Sequence, residues 1–419
     1  MIVCSRTSSS IVSSRSIVEE APLTLSTSEK IVNTSHLLKQ NQKRDFLLSI
    51  SMLAVTVSLF YLVNCNEVFA TPIQNLGPNA TTTNTSNSER SQELFDKVKN
   101  SVVRIDTLVQ YVNPRITVND EPFLQEPSGS IGSGFVYDES GKIVTNYHVV
   151  QGAQAILVKF LNGNGYKGTI VGVEPLIDLA VIQLDPSALY NEKIVPLPLA
   201  NPSEIRIGTP VVAIGNPIGL TGSMTEGIIS QVGRIQKGLF FPDSWVGDLI
   251  QTDAPITHGN SGGPLLNFDG EVVGVNDRGV IADISSPSTE PNIGLAISSG
   301  TVKRVVDFII ANGSYDAPYL GILVSDIPAF FPEKVGLSEA KGAYVLSVLP
   351  DSPSSRAKIE SDNVIIKAND VLIKDKADLI NYIQTKSPGD NLALTIIDNS
   401  GVTKAYDLNL ESMPAEFGG

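Results

Sequence analysis

From Val102 to Val275 the chain repeats one rhythm, a short apolar run closed by a turn. Val102-Val103-Arg104-Ile105, Ile156-Leu157-Val158-Lys159-Phe160, Gly168-Thr169-Ile170-Val171-Gly172-Val173 and Leu179 to Leu184 make a first group. Pro210-Val211-Val212-Ala213-Ile214-Gly215, Gly227 to Val232, Leu249-Ile250-Gln251-Thr252 and Val272-Val273-Gly274-Val275 make a second. Runs this short and this evenly spaced predict antiparallel barrels or sandwiches. The 34 glycines and 25 prolines fit so turn-rich a chain.

One stretch breaks the rhythm. Gly259-Asn260-Ser261-Gly262-Gly263-Pro264-Leu265 sets a serine among glycines just before an apolar strand. A serine hydroxyl attacks at neutral pH only if a base takes its proton and nearby donors receive the charge that forms on the carbonyl oxygen. Glycines at 259, 262 and 263 permit torsions that turn the N–H groups of Gly259 and Ser261 toward one point, an oxyanion hole. A bare Gly-x-Ser-Gly is more often a simple turn, but seven residues ending in Pro-Leu are more specific.

The base is sought among three histidines, His36, His148 and His258. His36 precedes a long apolar run, and His258 stands three residues from the serine on the same loop, with no assigned role. His148 lies in Ile143 to Val150, which reads as an apolar strand that ends and delivers its histidine at a turn, where the ring can face a cleft. Thirty residues on, Asp178 opens the run Leu179 to Leu184. The order His, Asp, Ser is that of the chymotrypsin-type barrel rather than of subtilisins or α/β-hydrolases. The roles follow: Ser261 as nucleophile, His148 as base and then acid, and Asp178 fixing the imidazole tautomer. His148 and Asp178 fall in the first group of strands and Ser261 in the second, so the site is expected between two barrels.

Thr145-Asn146-Tyr147-His148-Val149, Asp178-Leu179-Ala180-Val181 and Gly259 to Leu265 resemble the three catalytic blocks of the HtrA (Deg) serine proteases. Gly132-Ser133-Gly134-Phe135-Val136, Gly215-Asn216-Pro217-Ile218-Gly219 and Thr225-Glu226-Gly227-Ile228-Ile229-Ser230 agree as well, and the resemblance runs from about Phe95 to Leu410. It implies that Tyr111 to Ser130, which lacks a strand pattern, is the variable loop between the first two strands. It also implies a homotrimer or higher multiple, built through the segment around Leu94 and Phe95. Gly294-Leu295-Ala296-Ile297, after a Pro/Ser/Thr-rich loop from Ile284 to Pro291, resembles the strand beside the specificity pocket and implies a small or medium apolar side chain before the cut. No acidic residue stands out to select Lys or Arg.

After a helical run, Val302 to Ile310, that stops at Asn312-Gly313, a smaller unit begins. Its runs Tyr319-Leu320-Gly321-Ile322, Gly342 to Val348, Val364 to Lys367 and Leu392 to Ile397, with a helix at Ala377 to Gln384, resemble a PDZ domain. The resemblance gives the loop Tyr319, Leu320, Gly321, Ile322 the task of binding a peptide carboxylate while the peptide adds as a strand. Ser361-Asp362 and Ala368-Asn369-Asp370 depart from the family's glycine-containing turns.

Upstream, 21 uncharged residues lie between Asp45 and Glu67, enough to span a bilayer as a helix. Lys39, Lys43 and Arg44 precede them, which places the N-terminus in the cytoplasm and the domains outside. The run reads as an uncleaved single-pass anchor in the cell membrane; cleavage after Ala70 is the alternative and would release a secreted protein. Asn79 to Ser88 is polar, small and low in complexity, a tether. Cys4 and Cys65 cannot staple the folded domains, no Cys/His cluster suggests a metal, and no nucleotide motif calls for a cofactor. A net charge of -14 makes nucleic acid a poor partner.

The expected fold is mainly β, a chymotrypsin-like double β-barrel followed by a PDZ domain and preceded by one transmembrane helix. The segments are 1–45 cytoplasmic, 46–66 anchor, 67–90 linker, 91–312 protease and 313–412 PDZ. The expected function is an ATP-independent serine endopeptidase that degrades unfolded or damaged extracytoplasmic proteins, with peptide C-termini bound by the PDZ domain. A chaperone-like client-binding protein with secondary proteolysis and a site-specific protease gated by C-terminal peptides are the alternatives.

Overall fold

The computed structural model describes residues 87–414 apart from 110–111, 119–120, 125–127, 216–222, 241–243, 258, 284–285, 330 and 336–338. The anchor segment 46–66, the cleavage site at Ala70 and His258 lie outside the described residues. Among those described, no helix is long and apolar enough to cross a membrane.

The apolar rhythm becomes two closed barrels. β1 (Val102–Val109), β4 (Ser128–Val136), β5 (Lys142–Thr145), β6 (Ala155–Lys159), β7 (Gly165–Glu174) and β8 (Leu179–Leu184) close in the order β1-β4-β5-β8-β7-β6. β9 (Pro210–Gly215), β10 (Ser223–Lys237), β11 (Trp245–Thr252), β12 (Pro264–Leu266), β13 (Val272–Asp283) and β14 (Ser286–Ser298) close as β10-β11-β14-β13-β12-β9.

Successive side chains of a strand face opposite ways, and this sorts the runs into two kinds. In β6, Ile156 and Val158 point into the barrel while Ala155 and Leu157 meet solvent. β8 has no solvent face. Ala180, Ile182 and Leu184 fill the first barrel, and Leu179 and Val181 join a second core between the barrels. β9 is split likewise: Val211 and Ala213 fill the second barrel, while Val212 and Ile214 face the shared core. Apolar content along the whole strand is therefore required where a strand lies between two cores.

Two helices seal that shared core. Helix Ser299–Asn312 contributes Val302, Val305, Val306 and Ile309 at helical spacing. Ser298 caps its start by accepting from the Thr301 N–H, and Gly313, at φ 84°, ends it in the left-handed conformation. Helix Asn87–Val98 contributes Leu94 and Val98 and starts inside the stretch read as linker. Leu94 is thus buried in its own chain, and of the pair expected at a trimer contact only Phe95 keeps exposed surface.

Two segments read as loops are paired strands. β2 (Val112–Val118) and β3 (Glu121–Leu124) form a separate hairpin inside the Tyr111–Ser130 segment. β13 and β14 continue past the barrel as a ribbon, with Ile281 opposite Thr289 and Asp283 opposite Ser286. Neither shows an apolar alternation in the sequence, and both are defined by main-chain pairing. The sequence pattern therefore gave no sign of them.

The smaller unit has its own core, with Leu320, Val345, Ile365, Leu379, Leu392 and Ile396 among its members. β16 (Ile322–Ser325), β17 (Ala343–Val348), β18 (Val364–Ala368), β20 (Asn391–Ile397) and β21 (Thr403–Asn409) make the sheet in that order, and β19 (Val371–Leu372) pairs with β18. β15 (Pro318–Tyr319) pairs with β22 (Glu411–Ser412). Each of the two turns that depart from the family's pattern holds a left-handed residue, Asp362 at φ 64° and Asn369 at φ 49°. Asp and Asn tolerate that region better than other side chains, and Asn369 secures it by exchanging hydrogen bonds with Ala393 through both its N–H and its Oδ1.

Candidate active site

β5 ends at Thr145 and the chain makes one helical turn, Tyr147–Val150, which carries His148. Val149 and Val150 anchor that turn in the first barrel and leave the His148 side chain 27% exposed. Asp178 occupies the turn between β7 and β8 at φ 64°. Four hydrogen bonds hold it in that unfavourable conformation. Its carbonyl accepts from Tyr147 N (3.2 Å) and Asn146 Nδ2 (2.9 Å). Its carboxylate accepts from His148 N (2.8 Å) and meets His148 Nδ1 at 2.6 Å. An ionised carboxylate only accepts, so the Nδ1 it faces carries the ring proton and Nε2 is left as the basic nitrogen.

The serine loop belongs to the second barrel but is fastened to the first. Ser133 N donates to Ser261 O (2.9 Å), Ser133 Oγ donates to Gly259 O (2.5 Å), and Thr145 Oγ1 donates to Ser133 O (2.7 Å). Gly262, at φ 81°, passes so close that a Cβ would lie 2.3 Å from Ser133 O and from Thr145 Oγ1. Within the loop Asn260 N, Gly262 N and Gly263 N donate to Thr257 O, Asn276 O and Asn260 O. Among the described residues, the N–H groups of Gly259 and Ser261 donate to no protein acceptor. Gly259 adopts φ 104°, which a larger residue resists. Ser261 Oγ donates to the main-chain carbonyl of Asp277 at 2.6 Å.

Asp277 is the acidic residue that the sequence did not reveal. It is buried on β13, its Oδ2 accepts from Gln236 Nε2 at 2.9 Å, and it joins His148 and Asp178 in a cluster whose polar atoms lie within 4.8 Å of one another. Leu295, Ala296 and Ile297, expected beside the specificity pocket, are packed in the cores with Gly294 buried next to them. A Cβ on Gly294 would meet Ile256 at 2.5 Å, so this strand abuts the loop that leads to the serine.

The residues expected to bind a carboxylate line a second cavity. Tyr319, Leu320, Gly321 and Ile322 form one wall, and Leu379, Ile380 and Ile383 of helix Lys376–Gln384 form the opposite one. Gly321 turns at φ 75°. Leu349 N donates to Gly321 O, and Ser354 donates to Leu320 O through both N and Oγ, so these carbonyls are held away from the groove. β16 is an edge strand of its sheet. The end wall was not foreseen: Leu176, Ile177, Ser244 and Trp245 come from the barrels. Trp245 is the only tryptophan in the chain. Ile177 directly precedes Asp178.

Known proteins share these parts. The trypsin-like peptidase domain family matches residues 132–275, and the PDZ domain family matches residues 318–406. A probable periplasmic serine endoprotease DegP-like of Brucella suis biovar 1 is 36% identical over 291 residues, which cover 68% of this chain and 53% of that protein. This chain therefore spans about half the length of the curated DegP-like relatives it matches. HhoA of Synechocystis, a candidate serine protease, is 34% identical over 331 residues, covering 74% of this chain and 78% of the relative. The solved structure of the HtrA-type protease AlgW with a decapeptide superposes with a TM-score of 0.61 at 28% identity, covering 77% of this chain and 98% of that one.

Proposed function

The chain belongs to the HtrA family of serine proteases, and on that premise we propose that it is an ATP-independent endopeptidase that acts outside the cytoplasm on unfolded or damaged proteins. Ser261 Oγ turns from the Asp277 carbonyl to His148 Nε2, gives up its proton there and bonds to the scissile carbonyl carbon. The oxygen of that carbonyl takes the negative charge toward the N–H groups of Gly259 and Ser261. Asp178 stabilises the imidazolium, which then protonates the leaving amine. Water activated by the same ring releases the acyl group and frees the serine.

One observation carries this reading: a histidine bound twice to a buried carboxylate, on a turn fastened through Ser133 to the Ser261 loop. The test is turnover of an unfolded model protein such as casein. Ser261→Ala removes cleavage with the melting temperature retained, and undiminished turnover by that variant refutes the assignment.

The groove supports a second, regulatory reading. Ile177 lines it and Asp178 follows in the chain, so a peptide C-terminus seated there bears directly on the turn that orients His148. Residues 46–66 are proposed as the membrane tether, and a trimer is proposed from family membership.

A further inference from the structure

We propose that Asp277 is a second positioning carboxylate for His148: held buried on β13, its charge stabilises the imidazolium formed when His148 takes the Ser261 proton. The inference rests on the protease reading and adds a residue to it. Among the described residues, the carboxylates that share a cluster with the ring are Asp178, from the β7–β8 turn, and Asp277, from β13. From its own turn comes the phenol of Tyr147, whose ring packs edge-on against Phe240.

Three features make Asp277 more than a bystander. Its main-chain carbonyl accepts from Ser261 Oγ, so the backbone that carries it is in register with the nucleophile. Its carboxylate lies within 4.8 Å of both a His148 ring nitrogen and an Asp178 oxygen. Its Oδ2 accepts an amide N–H of Gln236 at 2.9 Å, and such a donor favours the charged form. A carboxylate beside a histidine has its largest effect when that histidine becomes positive. The proton lost by Ser261 Oγ as its bond to carbon forms resides on Nε2 of an imidazolium whose Nδ1 faces Asp178 and whose ring has Asp277 nearby, until it passes to the leaving nitrogen.

A negative charge near the ring favours imidazolium, so more alkaline conditions are needed to free the base. At about 5 Å, with screening between that of a protein surface and that of water, the shift is about one pH unit. Asp277→Asn keeps the shape and the acceptor for Gln236 but removes the charge.

The experiment follows labelling of Ser261 in the full-length protein by a fluorophosphonate, read by mass spectrometry as a rate against pH. Asp277→Asn is expected to move the acid limb down by about one unit and to lower the alkaline plateau up to tenfold. A lower plateau with an unmoved limb overturns the proposal, because loss of packing lowers the plateau alone. An unchanged profile, or a changed cleavage preference with an unmoved limb, overturns it as well. Should the variant fail to fold, the unsubstituted protein decides: a limb at or below about 6.5, the ordinary imidazole value, overturns the proposal. If Ser261 takes no label at any pH in the unsubstituted protein, it is the protease reading that fails.

Discussion

Replacing Glu174 with Gln should make the protein more stable, and increasingly so as the pH rises. Glu174 ends β7, four residues before Asp178, and is buried. Burial pushes its carboxyl up to about 8 from an ordinary 4.5, nearby Asp316 adds to the rise, and the N–H groups of Leu176 and Ile177 oppose it. Below about 4.5 the carboxyl is protonated whether the chain is folded or not, and it contributes no pH dependence. Between 4.5 and 8 the unfolded chain releases the proton while the folded chain keeps it, so stability falls as pH rises. Above about 8 the loss is complete. A displacement of about 3.5 units sets an upper limit of about 5 kcal/mol. Relaxation and entering water reduce this to roughly 1–3 kcal/mol, or a few degrees in melting temperature for a unit of this size. Thermal melts of Glu174→Gln and its parent at pH 5 and 8.5, both carrying Ser261→Ala to prevent self-cleavage, measure the gap. It should be small at the lower pH and largest at the higher one. An equal gap at both, or a larger one at pH 5, refutes the reasoning.

Ser133→Ala removes the donor to Gly259 O and leaves that buried carbonyl without its side-chain partner. It should cost about 1–3 kcal/mol of stability and lower kcat at least tenfold with KM little changed, because Gly259 belongs to the oxyanion loop. Steady-state kinetics check this, and an unchanged kcat counts against the stitch between barrels. Peptides seated in the groove should alter the emission of Trp245, the sole tryptophan, with a free C-terminal carboxylate required. Equal responses to free and amidated peptides would remove carboxylate capture from the functional reading.

The residues that a single strand or loop could announce were legible in the sequence. His148 and Asp178 each stand at the end of an apolar run, and Ser261 stands among glycines whose torsions the loop uses. Glycine at 262 records a tertiary contact, the close pass of Ser133 O, and so betrays its place without the partner being known. Asp277 and Ile177 give no such sign. An acid inside an apolar strand and an isoleucine before a turn acquire their meaning only when β13 and the β7–β8 turn meet. The hairpin of β2 and β3 escaped for a different reason: Val112–Val118 and Glu121–Leu124 carry no apolar alternation in the sequence, the signal from which a strand is read.

Trp245 shows why the groove and the protease must be considered together. β10 and β11 lose register repeatedly between Ile229 and Gln236, and Asp248 lies at φ 53°, so main-chain groups along this bulge are left without ladder partners. Helix Lys376–Gln384 supplies them. Asn381 Oδ1 accepts from Asp248 N (2.7 Å) and its Nδ2 donates to Gly233 O (2.8 Å). Gln384 Oε1 accepts from Gly247 N (2.9 Å) and its Nε2 donates to Trp245 O (3.1 Å). Two amides thus satisfy four backbone groups, and Lys376 Nζ lies 5.0 Å from the centre of the Trp245 ring. Moving this helix outward, as a bulky peptide would require, exposes all four groups at once, and each must find water or lose about 1 kcal/mol. The same helix forms a wall of the groove through Leu379, Ile380 and Ile383, so a peptide bound there as proposed would compete with the barrel contact for its position. A peptide small enough to leave the helix in place would instead reach Trp245 and Ile177, and on the proposed reading act through Ile177 on the turn that holds Asp178 against His148.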